Sequence, residues 1–183
     1  MQPQGSVKQS SKDIQSGSIL LSSLLMVYML CLHLLITLQG SGIQPQESEA
    51  ELKGHSHRVN SAIFSSDGTH IVSASDDHTA RIWNTTTGEC EAVLKGHSHR
   101  VNSAVFSSDG AHIVSASSDH IARIWNTATG ECEAELKGHS DWVNSAVFSS
   151  DGAHIVSVSS DHTARIWNTA TGECETVLTG HSN

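Results

Sequence analysis

"SSDHTARIW", residues 159–167, decides how this chain folds, because the chain writes it three times. Earlier versions are "SDDHTARIW" at 75–83 and "SSDHIARIW" at 117–125. Each copy places Ser, Asp and His within a few positions. Those side chains can build a hydrolytic triad, or they can brace buried backbone. A nucleophilic serine has to differ from its copies in environment, with a base and an oxyanion site around it. Here the copies are equivalent, and no G-x-S-x-G elbow occurs. The repetition therefore argues for a structural role and against catalysis.

Aligned on "GHS", the repeat starts at Gly54, Gly96, Gly138 and Gly180, a constant period of 42. Units 54–95 and 96–137 differ at six positions, and 96–137 and 138–179 at seven. A fourth unit begins at 180. The stretch "ESEAELKG" at 47–54 also matches "ECEAELKG" at 131–138, so repeat material begins at Glu47. A fixed period of this length implies stacked supersecondary units that bury their faces against one another.

Within a unit the pattern predicts four short strands. "RVNSAVFS" (100–107) ends at the turn signal "SDG"; "AHIVSAS" (111–117) and "IARIWN" (121–126) follow. A "TATG" turn then leads to "ECEAELK" (131–137). The middle strands are apolar almost throughout, as in sheets covered on both faces. The last is charged, as suits an edge facing water. The expected fold is all-β, with three four-stranded antiparallel propeller blades.

These residues resemble the WD40 repeat family, with a Gly–His opening and a tryptophan near the end of the third strand. The likeness covers 47–183, and it extends to the near-identical WD40 arrays attached to NACHT-type signalling ATPases. One departure recurs: the aspartate expected after the tryptophan is Asn84, Asn126 and Asn168. By this resemblance, each blade carries a hydrogen-bonded brace of His, Ser, Asp and Trp. The matching sets are His55, Ser73, Asp77 and Trp83; His97, Ser115, Asp119 and Trp125; and His139, Ser157, Asp161 and Trp167. A buried Asp needs donors, which imidazole and turn N–H groups supply, and the indole N–H needs an acceptor, which the Ser hydroxyl offers.

Against that uniform background, the differences between copies stand out. His57–Arg58 and His99–Arg100 become Asp141–Trp142, and Asp76 becomes Ser118 and Ser160. The resemblance puts these positions on the top rim, where partners dock, and Trp and Arg are the residue types that most often carry interface energy. His57 and His99 form H-x-H pairs with the bracing histidines, yet no nearby Cys or carboxylate completes a metal set. No G-x-x-x-x-G-K-[ST] loop occurs, so no cofactor is expected.

Ten basic against nineteen acidic residues give a formal charge of -9, which offers no footprint for nucleic acid. Cys90, Cys132 and Cys174 recur once per unit beside Cys31, and they read as unpaired thiols of a reducing compartment. A polar tail (1–18) precedes "ILLSSLLMVYMLCLHLLITL", residues 19–38, an uncharged run expected to be helical. Its length matches a bilayer core, and a short linker (39–46) follows. The run reads as a single-pass anchor or as a signal peptide, and without an anchor the chain is expected in the cytoplasm. Propellers close with 4–8 blades, so three leave the ring incomplete. The expected function is a non-catalytic protein-interaction scaffold, membrane-tethered and part of a longer array. The alternative is the sensing region of a NACHT-type ATPase system. Self-association or further repeats would complete the ring.

Overall fold

The computed structural model describes residues 51–180. Twelve strands lie among them. The first four are β1 (Val59–Phe64), β2 (His70–Ser75), β3 (Ala80–Asn84) and β4 (Cys90–Leu94). Next come β5 (Val101–Phe106), β6 (His112–Ser117), β7 (Ile121–Asn126) and β8 (Cys132–Lys137). The last four are β9 (Val143–Phe148), β10 (His154–Ser159), β11 (Ala164–Asn168) and β12 (Cys174–Leu178). They form three four-stranded sheets, each an antiparallel meander in chain order. The Ile, Val, Phe and Trp content of the first three strands of each sheet suits a pleated, buried surface.

Turn chemistry sets the register. In the first "SSDG" turn, Asp67 Oδ1 accepts the Ser65 hydroxyl at 2.6 Å and the Thr69 N–H at 3.0 Å. Gly68 there has φ 71°, a conformation that glycine adopts without a Cβ penalty. Bulges recur at equivalent places, between Val59 and Ser61 and between Val101 and Ser103 on the first strands. They re-aim the strand entry toward the turn that carries the aspartate.

The core lies between sheets. Val72, Ala74, Ala80, Ile82 and Leu94 of the first sheet pack on Val101, Ala104, Phe106, Ile113 and Trp125 of the second. The second seam repeats this with Val114, Ala116, Ala122, Ile124 and Leu136 against Val143, Ala146, Ile155 and Trp167. Each sheet thus has a leading face, turned toward its predecessor, and a trailing face. Burying one Leu, Ile or Val in such a seam stabilises by about 2 kcal/mol.

Among the described residues, no further blade packs on the outer faces of the two end sheets, though Trp83 at the first of them is only 1 % exposed. Val101 and Val143 are 0 % exposed, while their leading-face counterpart Val59 is 48 % exposed. Leu94 and Leu136 are 0 % exposed, and Leu178 on the last trailing face is 44 % exposed.

Residues 51–53, the described end of the repeat material that begins at Glu47, belong to no strand. The first sheet already has β4 as its fourth strand, so no third strand is free to pair with them. The tail, the apolar run 19–38 and the linker lie outside the described residues. Among the described residues no helix is long and apolar enough to cross a membrane.

Candidate functional site

Each sheet draws one histidine from the approach to its first strand, one serine from its second, one aspartate from the following turn and one tryptophan from its third. In the first sheet, Trp83 Nε1–H donates to Ser73 Oγ at 2.8 Å. Ser73 Oγ and His55 Nε2 are 2.7 Å apart, and His55 Nδ1 lies 2.8 Å from Asp77 Oδ2. The second set repeats these distances at 2.8, 2.8 and 2.7 Å through Trp125, Ser115, His97 and Asp119. In the third, Trp167, Ser157, His139 and Asp161 are joined at 2.8 Å in every link.

One proton arrangement satisfies every link. The indole N–H donates to Ser Oγ, the Ser O–H donates to His Nε2, and His Nδ1–H donates to the carboxylate. In that tautomer the serine hydroxyl is used twice. Ser73 is 4 % exposed, and Ser115 and Ser157 are fully buried. With Oγ buried and already accepting the indole N–H, a substrate carbonyl has no approach to it. The arrangement ties the second and third strands of each sheet to the turn between them and to the segment that leads into the first strand.

The aspartates are held as anions. Burial alone would push the Asp77 carboxyl up. Hydrogen bonds from the Thr79 hydroxyl, His55, the Ser56 N–H and the Thr79 N–H outweigh it and keep the group far below the usual carboxylate range. Asp161 is held down in the same way, against burial, by Thr163, His139 and the Ser140 and Thr163 N–H groups. For Asp119, burial is opposed by His97, both as a donor and through its charge, and by the Ser98 and Ile121 N–H groups, and the value is lowered to about 2. The second set lacks one donor, because Ile121 stands where Thr79 and Thr163 donate at 2.6 and 2.7 Å.

The asparagine that replaces aspartate after each tryptophan has its own chemistry. Asn84 Oδ1 accepts the Thr86 and Thr87 N–H groups at 2.9 and 3.1 Å, closing the turn. Its Nδ2 donates to Glu91 Oε1 at 2.9 Å, and Asn126–Glu133 and Asn168–Glu175 repeat this at 3.0 Å. A carboxylate in place of the amide would face Glu91 as a like charge.

A family model described as "WD domain, G-beta repeat" matches residues 46–84, 88–126 and 130–168. The chain belongs to the WD40 family. The family's unit runs from an outer strand to the tryptophan strand, so it is offset from the "GHS" frame. One WD40 repeat's worth, 37 residues, is 54 % identical to "MST50-interacting protein 11" of Pyricularia oryzae. It is 51 % identical to "Small ribosomal subunit protein RACK1" of Neurospora crassa and 49 % to "Cross-pathway control WD-repeat protein 2" of Flammulina velutipes. Each match covers 20 % of this chain and 12 % of the relative. The solved "Structure of U3-55K" superposes with TM-score 0.69 at 26 % identity, covering 72 % of this chain and 42 % of that one.

The positions that vary between WD40 units meet in pairs at the end of each blade that carries the bracing His and Asp. Asp76 N–H donates to Arg58 O, Ser118 N–H to Arg100 O, and Ser160 N–H to Trp142 O, at 2.8, 3.0 and 2.9 Å. His57 Nδ1 contacts Ser56 Oγ at 3.0 Å. His99 stacks on His78 of the preceding blade at 6.2 Å between centroids. Asp141 caps its own turn through the Trp142 N–H at 2.7 Å. The Arg100 guanidinium lies 4.7 Å from the Trp142 ring centroid, bridging the second seam, and Trp142 is 47 % exposed. No group of three or more metal-ligating side chains occurs among the described residues.

Two further sets escape a reading of single units. Asn60 Nδ2 donates to Val101 O at 2.9 Å and Asn102 Nδ2 to Val143 O at 2.7 Å, clamping each blade to the next. His78, His120 and His162 sit at φ 69°, 72° and 66°, a left-handed conformation rare outside glycine, which presents an imidazole at each rim turn. The only sequence signal for either was their repetition.

Blade two has an ion pair the others lack: Arg123 Nη2 to Glu135 Oε1 at 2.8 Å. Valines stand at the matching positions, paired with Arg81 and Arg165 across the ladder. Val177→Glu is therefore expected to stabilise modestly, by about 0.5 kcal/mol, read as a small rise in the chemical-denaturation midpoint that high salt removes.

Proposed function

We propose that this WD40 chain is a protein-interaction scaffold whose contact surface is the rim carrying Arg58, Arg100, Asp141 and Trp142. The observation that carries this reading is the Arg100–Trp142 pair: a half-exposed indole with a guanidinium stacked on it. It is a preformed amphipathic patch of the residue types that dominate binding energy. The surrounding His57, His99, Asp76, Ser118 and Ser160 supply polar groups at its border. The names of the relatives support it in kind, since one is an interacting protein and another a ribosomal-subunit protein.

The chain spans only 12 % of those relatives, so their own partners are not assigned to it. Anchoring through 19–38 would place the rim at a membrane, which resistance of the full chain to alkaline carbonate extraction tests. Trp142→Ala and Arg100→Ala are each expected to reduce partner capture at least about tenfold with the circular dichroism unchanged. Capture that is indifferent to both substitutions would refute the rim reading.

A further inference from the structure

We propose that the two clefts between neighbouring blades, at the end opposite the rim, are binding sites for a linear aliphatic polyamine. The first cleft lies between Ile82, Glu91 and Ala92 of the first blade and the turns of the second that carry Ala111 and Ala128. The other repeats it, with Ile124, Glu133 and Ala134 facing the turns of the third blade that carry Ala153 and Ala170. Their volumes are about 440 and 810 Å³, within the range of sites that hold a small ligand. The two are separate pockets, so each takes its own molecule.

Alanine lines these clefts at positions where copies outside them carry threonine. Thr69 and Thr86 match Ala111 and Ala128, Thr176 matches Ala134, and none of the three threonines lines either cleft. The floor is thereby apolar and suits methylene groups. Thr127 and Thr169 stand in the walls, and their hydroxyl oxygens are buried with no hydrogen-bond partner among the described residues. Thr85, at the same position in the first blade, donates to the Gly68 and Thr69 carbonyls at 3.0 and 2.9 Å. Each cleft therefore keeps one unused polar group in its wall.

The charge selects a cation with more than one amine. Glu133 Oε1 accepts the Asn126 amide at 3.0 Å, and Oε2 lies 3.2 Å from His112 Nε2. Glu91 repeats this with Asn84 at 2.9 Å and His70 at 3.0 Å. Both carboxylates are thus oriented at the cleft edge, about two-fifths exposed, and each oxygen retains a lone pair for an ammonium. The facing turns add Asp109 and Glu131 at the first cleft and Asp151 and Glu173 at the second, and no lysine or arginine stands in those turns. A single ammonium uses one of these carboxylates, whereas a methylene chain with an amine at each end draws on the wall and the turns together. Such chains lay their methylenes on apolar surface and keep their charged ends at polar groups.

The test is isothermal titration of the full chain, in mild detergent at physiological salt, with spermidine. Saturable binding is expected, and an alkanediol of matching length, which lacks the charge, gives none. Glu91→Gln combined with Glu133→Gln weakens binding at least about threefold, the scale of an exposed ion pair. Glu89→Gln combined with Glu135→Gln removes the same charge outside the clefts and leaves binding unchanged. Ala128→Leu combined with Ala170→Leu, both at exposed positions, fills the clefts at constant charge. It weakens binding at least about threefold with the circular dichroism unchanged. Trp142→Ala has no effect, so this proposal and the rim reading fail separately. No saturable binding, equal losses from the two glutamine pairs, indifference to the leucine pair, or binding of an oligolysine peptide alone would each overturn the proposal.

Discussion

Trp125→Ala is expected to lower the thermal unfolding midpoint of the full chain by on the order of 10–20 °C, or to abolish cooperative unfolding. Trp125 is almost wholly buried and belongs to the first seam, packed among residues of both blades. Truncating a buried tryptophan costs about 3–5 kcal/mol through lost transfer energy and the cavity left behind. It also removes the donor to Ser115. The total stability of a domain is only about 5–15 kcal/mol, so one such loss in the central blade is a large fraction of it. Trp125→Phe keeps most of the volume and gives up the N–H. Its expected cost is smaller, about 1–2 kcal/mol, and thermal melts of the two variants separate packing from hydrogen bonding.

Asp119→Asn is expected to destabilise by about 2–4 kcal/mol at neutral pH with no change in side-chain volume. Asp119 Oδ2 receives His97 Nδ1–H at 2.7 Å and the Ser98 N–H at 3.1 Å, and Oδ1 receives the Ile121 N–H at 3.1 Å. An amide must turn its NH2 toward one of these donor groups. The pH dependence follows from the sign of the shift. Asp119 titrates at about 2 in the folded chain, below its ordinary value. Its contribution is therefore complete above the unfolded carboxylate range and is lost as pH falls through about 4 toward 2. Asp77 and Asp161 are lowered too, so their contributions add in the same direction. Denaturant melts should show stability falling steeply below pH 4 in the parent chain and less steeply in Asp119→Asn. A parent chain whose stability is flat from pH 6 to pH 2 would show that the carboxylates are not held by these donors.

Much of this architecture is legible in the repeat. "IARIWN" predicts β7 to the residue, because β-branched and aromatic residues end at a turn-forming Asn. The Ser, His, Asp and Trp sets are legible only through the resemblance to the WD40 family, while the repetition argues that their role is structural. Contacts between blades are legible in neither way. Asn60 and Asn102 look like any polar strand residue, and only the stacking of blades brings each amide to the next blade's carbonyl. The rim pair needs both blades, since Arg100 and Trp142 become one patch only across a seam.

The most direct test of the central claim is site-specific photo-crosslinking of the full chain in cells, with a photoreactive phenylalanine at position 142 or at position 131. Both sites are solvent-facing, one on the rim and the other beside the outer strand. The account predicts discrete covalent adducts with other proteins from position 142, abolished by Arg100→Ala, and none from position 131. Adducts from position 131 with none from 142 would contradict it and move the interaction surface to the outer strands.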